Sequence, residues 1–241
     1  MISICDLHKK FGKLTVLDGV DLDIDKGGIF AVLGPNGPGK TTLIKSILGM
    51  VIPNGGDIKL KGVSVLGKSD YRNDINYLPQ IANFPSNLTV KELFSMVKNL
   101  RPKEAHETDL IRVFGLEEHL DKKLRNLSGG TKQKVNIVLT FMFDSDLIVL
   151  DEPTTGLDPV SLIRLKEIIK EEKRAGKTIL ITTHIMSFVE EMADEIVFLL
   201  DGRIYFKGTS SSLRNQTNEP DLEHAIAALM AGTNSLTQEK R

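Results

Sequence analysis

The chain has a single cysteine, almost no net charge and no long apolar run. Each shortage excludes something. One cysteine, Cys5, cannot form an internal disulfide, which suits a reducing cytoplasm. Thirty-one basic against 32 acidic side chains leave a formal charge of −1. That lacks the positive excess that marks bulk nucleic-acid or anionic-membrane binders, so direct nucleic-acid binding is not expected. A membrane-spanning helix needs roughly 18 or more apolar residues in a row. The densest stretches here are broken by Asn136, Thr140, Asp144 and Asp146. Met1 leads straight into the strand-like run 2–7, without the pattern of a secretory leader. The sequence predicts a chain soluble by itself, with any membrane role supplied by a partner. It shows no internal repeat and no low-complexity tract.

What is present is an ordinary globular composition, 41% apolar and 26% charged over 241 residues. That length allows one large domain, or a core domain carrying an inserted lobe. Residues 1–33 read as strands: Val20, Leu22 and Ile24 alternate with Asp21, Asp23 and Asp25, and 29–33 is a continuous apolar run. That run enters Gly34-Pro35-Asn36-Gly37-Pro38-Gly39-Lys40-Thr41, which matches G-x-x-x-x-G-K-[ST]. Residues 41–50 read as the following helix. Strand, loop and helix in this order make the match more than a chance string. Backbone N–H groups of such a loop cradle phosphates, a lysine such as Lys40 neutralises them, and a hydroxyl such as Thr41 can reach Mg²⁺. Pro38 stands where an N–H would otherwise face a phosphate, and proline has none.

Residues 53–57 read as a turn cluster, with short strands at 58–66 and 75–78. Residues 84–144 read as a mostly helical lobe inserted into the core. Strands return at 147–150, 179–182, 196–199 and 203–206, with a helix near 160–175 and another near 220–231. Residues 232–241 read as a polar, frayed tail. Strands alternating with helices predict an α/β fold with a doubly wound parallel sheet.

Two further motifs carry chemistry. The apolar strand 147–150 ends in Asp151-Glu152, at the strand end where open α/β sheets bind ligands. Asp151 suits Mg²⁺, a hard cation that prefers oxygen, and Glu152 suits polarisation of an attacking water. An acidic pair before Pro153 could also serve only as a cap. Leu127-Ser128-Gly129-Gly130 opens a helix-forming stretch, so it reads as an anion site at a helix N-terminus or as a plain serine cap. Spacing does not choose between those two.

The order of Gly34 to Thr41, Gln80, Leu127 to Gly130, Asp151-Glu152, Gly156-Leu157-Asp158 and His184 resembles the nucleotide-binding subunits of ABC transporters, over about residues 1–215. The resemblance implies a phosphate-loop NTPase sheet with an antiparallel β subdomain, an ABC ATPase domain over 1–215 and a C-terminal helix and tail over 216–241. It implies an ATPase with ATP and Mg²⁺ as ligands. Phe11, which by itself reads as a core residue, would stack on adenine. Gly34, Pro35, Asn36, Gly37, Pro38, Gly39, Lys40, Thr41 and Thr42 would hold the phosphates. Thr41, Gln80 and Asp151 would hold the metal; Glu152, His184 and Lys40 would be catalytic. Ser128, Gly129, Gly130 and Asp158 would act across a dimer seam, on ATP held by a second copy or a homologous ATPase subunit. Integral membrane permease subunits are the further partners implied. They would place the chain on the inner face of the cell membrane, docking near 81–96 unless that segment is merely the link into the helical lobe.

The Gly156-Leu157-Asp158-Pro159 style resembles exporters with separate membrane subunits. The stretch Tyr77-Leu78-Pro79-Gln80-Ile81-Ala82-Asn83-Phe84-Pro85 is similar to the ATPase that serves maturation of the copper enzyme nitrous-oxide reductase, implying a copper or sulfur cargo. Two departures stand out: Pro38, and Thr131 where many relatives carry glutamine. A soluble ABC ATPase acting on another macromolecule is the alternative, and a generic kinase or GTPase leaves Gln80, Ser128 and His184 unexplained.

Overall fold

The computed structural model describes residues 1–101 and 103–238, apart from the side chains of Pro38 and of 232–238. The chain opens with β1 (Ile2–Phe11), β2 (Leu14–Ile24), β3 (Gly28–Leu33), α1 (Pro38–Ile47), β4 (Gly55–Leu60), β5 (Val63–Ser64) and β6 (Ile75–Leu78). There follow α2 (Val90–Leu100), α3 (Glu107–Val113), α4 (Gly129–Phe141), β7 (Leu147–Asp151) and α5 (Pro159–Arg174). The last elements are β8 (Thr178–Thr182), α6 (Met186–Met192), β9 (Glu195–Leu200), β10 (Arg203–Gly208), α7 (Ser210–Thr217) and α8 (Leu222–Gln238). Two compact units emerge, residues 1–69 with 180–238 and residues 70–179, and the division falls inside β8.

The first unit holds an antiparallel sheet in the order β2-β1-β4-β5 and the strands β10-β9-β3-β8, with β3 parallel to β9. In β2 the alternation of apolar and acidic residues works as expected: Val20, Leu22 and Ile24 are buried and Asp21 and Asp23 exposed. Gly55, Gly56 and Asp57, expected in a turn, belong to β4. The reason is close approach: a Cβ on Gly56 would lie 2.3 Å from the Asp6 carbonyl oxygen. A glycine pair that looks like a turn signal is here a strand contact. On one face of β3 and β9, Leu33, Phe198, Leu213, Leu222 and Ala225 form a closed apolar cluster. Full burial of each large side chain is worth about 1.5–3 kcal/mol.

The helices α6 and α7 are absent from the sequence reading. The eight residues of α7 bury only Leu213, so the polar run 210–217 carries no helical apolar stripe. It is stopped by Asn218 in the left-handed region (φ 57°). α8 begins after Asp221, whose Oδ1 accepts from the His224 N–H at 2.9 Å, and runs past the expected end at 231 to Gln238. The last residues of the expected frayed tail, 239–241, lie outside the described residues.

In the second unit β6 and β7 pair in parallel. All five residues of β7 are buried, the mark of a strand covered on both faces. α2 starts with a reciprocal cap: Glu92 N–H donates to Thr89 Oγ1 (3.2 Å), and Thr89 N–H donates to Glu92 Oε2 (2.7 Å). At its other end Arg101 lies over the Phe143 ring (4.9 Å) and donates to Asn76 Oδ1 (2.7 Å) and the Ile75 carbonyl (2.8 Å). This ties α2 to β6, the strand that leads to Gln80.

Candidate functional site

The expected site residues are divided between the two units. Phe11, residues 34–42 and His184 belong to the first; Gln80, Ser128, Gly129, Gly130, Asp151, Glu152 and Asp158 belong to the second.

In the first unit, buried β3 delivers the chain into the glycine loop. Gly34 has φ 155°, and a Cβ there would lie 2.0 Å from the Leu199 carbonyl oxygen, so no other residue fits. α1 begins at Pro38, three residues earlier than expected, with Gly37 as an extended cap that offers no side-chain hydrogen bond. Its first turn carries no acidic residue. The first N–H groups of a helix lack partners inside it, and with the helix dipole they favour an anion. Lys40 is buried, and its Nζ donates to the carbonyls of Gly34 and Pro35, both at 2.8 Å. The ammonium is thus fixed inside the loop. A cavity of about 300 Å³ adjoins it, lined by Leu14, Val16, Asn36, Gly37, Lys40 and Asp201. Thr41 is half-buried and Thr42 buried in the first turns of α1. Phe11, expected from its type in the core, is 48% exposed at the end of β1. His184 is exposed after β8, on a turn in which the Ile185 N–H donates to Thr183 Oγ1 at 3.2 Å.

Pro38 occupies a helix start, where a missing N–H costs the helix nothing and the fixed φ is favourable. Toward a phosphate the missing donor still matters. A hydrogen bond to a charged group is worth roughly 1.5–3 kcal/mol. Pro38→Ala is therefore expected to bind ATP at least as tightly as the parent in a titration calorimeter. Markedly weaker binding would contradict this.

In the second unit, β7 ends at Asp151, buried, followed by Glu152, buried and in the left-handed region at φ 49°. Such a conformation in a non-glycine residue stores of order 1–3 kcal/mol and clusters at functional sites. Burial, and then the charge of Asp151, push the Tyr77 hydroxyl up to about 12. Asp151 therefore makes this neighbourhood negative, as a cation would require. Gln80 follows β6 and is exposed. Among the described residues no group of three or more His, Cys, Asp or Glu is arranged to hold a metal ion by itself. Within the second unit, the amide oxygen of Gln80 and the carboxylate of Asp151 are donors of the kind that suits Mg²⁺, an ion that keeps several waters and relies on phosphate oxygens.

Ser128 is exposed and caps α4: the Thr131 N–H donates to its Oγ at 3.1 Å. The first turn of α4, like that of α1, has no acidic residue. The cap reading of the serine is thus observed, and no acidic side chain in the first turn opposes an anion there. A Cβ on Gly130 would lie 2.9 Å from the Gly156 carbonyl oxygen, whereas one on Gly129 meets nothing within 4 Å. Packing requires the second glycine but not the first. Asp158 caps α5 by accepting from Ser161 N (2.9 Å) and pairs with Lys134 of α4 at 2.8 Å. The Lys134 ammonium, then Ser161, hold its carboxyl well below the usual range.

Residues 17–155 match the ABC transporter family. The chain belongs to that family. It is 34% identical over 219 residues to a "Nod factor export ATP-binding protein I" of Ralstonia nicotianae, covering 88% of this chain and 68% of that one. It is 35% identical over 208 residues to the "Lantibiotic transport ATP-binding protein SrtF" of Streptococcus pyogenes, covering 85% of this chain and 89% of that one. A solved "ATP binding subunit of ABC transporter" superposes with a TM-score of 0.89 at 32% identity, over 95% of this chain and 99% of the other. The ABC cassette is accordingly an ATP-binding subunit and an ATPase with the α/β phosphate-loop fold.

Three residues of the ABC cassette escaped the sequence reading. Asn136 Nδ2 donates to the Pro79 carbonyl (3.1 Å), Thr140 Oγ1 to the Tyr77 carbonyl (3.3 Å), and Gln133 Nε2 to the Pro153 carbonyl (3.3 Å). They link the helix of the second glycine motif to the segments carrying Gln80 and Glu152. Asn136 and Thr140 had registered only as breaks in an apolar stretch. Their spacing of four, which puts both on one helix face, was the available signal.

Proposed function

We propose that the chain is the ATPase subunit of an exporter, working as a pair around two Mg-ATP to drive separate membrane permease subunits. The observation that carries this is the pair of acid-free helix N-termini, at α1 and at α4, each on a different unit. One nucleotide per chain does not need both. Supplied in trans by a second copy or a homologous subunit, the Ser128, Gly129 and Gly130 segment closes on ATP held by the partner's glycine loop.

In this reading Phe11 stacks on adenine, and the N–H groups of residues 34–42 hold the phosphates. Thr41, Gln80 and Asp151 would hold Mg²⁺, which neutralises phosphate charge when bound. Glu152 takes the proton of the attacking water as its oxygen bonds to the γ-phosphorus and ADP departs. Lys40 and His184 stabilise the charge on the transferring group, and Asp158 stands at the dimer seam. The cassette spans 1–215 with its helical lobe at 84–144, followed by the C-terminal helix and tail at 216–241. The motif order, which resembles that of the family, supports reading both sets of residues as parts of one reaction.

Outward direction is supported by the name of one relative, the Nod factor export protein. The copper or sulfur cargo rests on the stretch 77–85 alone. Among the described residues no helix is long and apolar enough to cross a membrane, so attachment at the inner face comes through the permease. Ile81, 71% exposed beside Gln80, suits a docking contact there. Affinity purification from membranes tests the assignment. The tagged chain is expected to retain integral membrane proteins encoded by neighbouring genes. Retention of ribosomes or DNA instead would favour a soluble ABC ATPase.

A further inference from the structure

The two ends of the first unit's nucleotide face are joined through one lysine. Lys9 and Phe11 are two residues apart on β1, so their side chains share a face. Lys9 Nζ lies 4.8 Å from the centroid of the Phe11 ring. The same ammonium donates to the Ile52 carbonyl at 2.7 Å. Residues 50–54 follow the helix of the phosphate loop and are themselves latched. The Met50 and Val51 N–H groups donate to the Lys45 carbonyl of α1, at 2.8 and 3.0 Å. Asn54 N–H donates to the His8 carbonyl (2.7 Å), and Lys10 N–H donates to Asn54 Oδ1 (2.7 Å). The aromatic end of β1 is thereby fastened to the C-terminal end of α1, whose other end begins at the phosphate loop.

We infer that Lys9 is a positioning residue for the base platform: its ammonium braces one face of Phe11 and ties the ring to α1, leaving the other face for the purine. The inference rests on Phe11 being the adenine platform. Phe11 is nearly half exposed. A cation over one face restrains it and draws on its π electrons, which favours an electron-rich base on the opposite face. The carbonyl of Ile52 fixes the ammonium, so the spacing between base and phosphates is set by the helix rather than by a loose side chain.

The test compares ATP with inorganic tripolyphosphate, which has phosphates but no base, by calorimetry on the full chain. Lys9→Met is expected to weaken ATP about two- to fivefold, the effect of an exposed cation–π contact. Tripolyphosphate affinity and kcat at saturating ATP should not change, and Lys9→Arg should restore ATP affinity. In a Phe11→Ala background, Lys9→Met should have no further effect. Equal weakening of both ligands, or an undiminished effect without Phe11, would overturn the inference. So would tighter ATP binding by Lys9→Met, which would place the ammonium on the face the base needs. If Phe11→Ala weakens ATP but Lys9→Met does not, the platform stands and Lys9 has no part in it. If Phe11→Ala leaves ATP affinity unchanged, the platform and the inference fall together.

Discussion

Glu152→Gln is expected to abolish ATP turnover, by about 10²–10⁴-fold, while ATP binding remains. Glu152 follows directly on a fully buried strand, is itself only 7% exposed, and is held at φ 49°. A strained, buried carboxylate persists only where its surroundings over-determine it. Glutamine matches its size and backbone demands, so the fold is kept and the ability to accept a proton from water is lost. The substrate then stays bound, and a species that binds only the folded state raises its stability by mass action. ATP should therefore lift the thermal midpoint of the variant at least as far as that of the parent. Were the acidic pair only a cap before Pro153, the variant would lose stability and keep its turnover. Phosphate release under saturating ATP separates the two, and persistent turnover would remove Glu152 from its role.

Gly129→Asp is expected to stop turnover by a different route. A Cβ at Gly129 meets nothing within 4 Å, so the side chain enters open space at the start of α4. An acid in the first turn of a helix is favourable by about 0.3–1 kcal/mol, and the isolated chain should be no less stable. Its own phosphate loop is untouched, so its affinity for ATP should be unchanged. In the proposed pair the cost falls on the partner's nucleotide. Two like charges about 4 Å apart repel by roughly 1–4 kcal/mol near a protein surface. Turnover should accordingly drop by more than about tenfold at unchanged ATP affinity. A serine cap with no further role would give a silent or slightly stabilised variant with full activity.

Much of this was legible in the residues themselves. The strand–loop–helix around Lys40, the buried strand ending in Asp151 and the alternation in β2 follow from local pattern, and local pattern is what a sequence shows directly. The failures share a cause. Gly55 and Gly56 read as a turn because their close approach to β1 is a tertiary fact. Phe11 read as core because residue type says nothing of whether a strand end is covered. α7 was invisible because it buries a single leucine, and α6 because seven residues are too few to display a period. Asn136 and Thr140 read as interruptions because the carbonyls they serve lie more than 50 residues away in sequence. Lys9 carried no sequence signal at all, since its partner at Ile52 is set by how α1 returns to β1.

The central claim is that the two glycine motifs are halves of one site that a single chain cannot complete. The most direct test is the mass in solution, by light scattering, of Glu152→Gln with and without ATP, alone and combined with Gly129→Asp. Glu152→Gln should move from one chain of 26.7 kDa to about twice that mass when ATP is added. The double variant should bind ATP and remain a single chain. A Glu152→Gln chain that stays monomeric when saturated with ATP, or a double variant that dimerises as readily as the single one, would contradict the account.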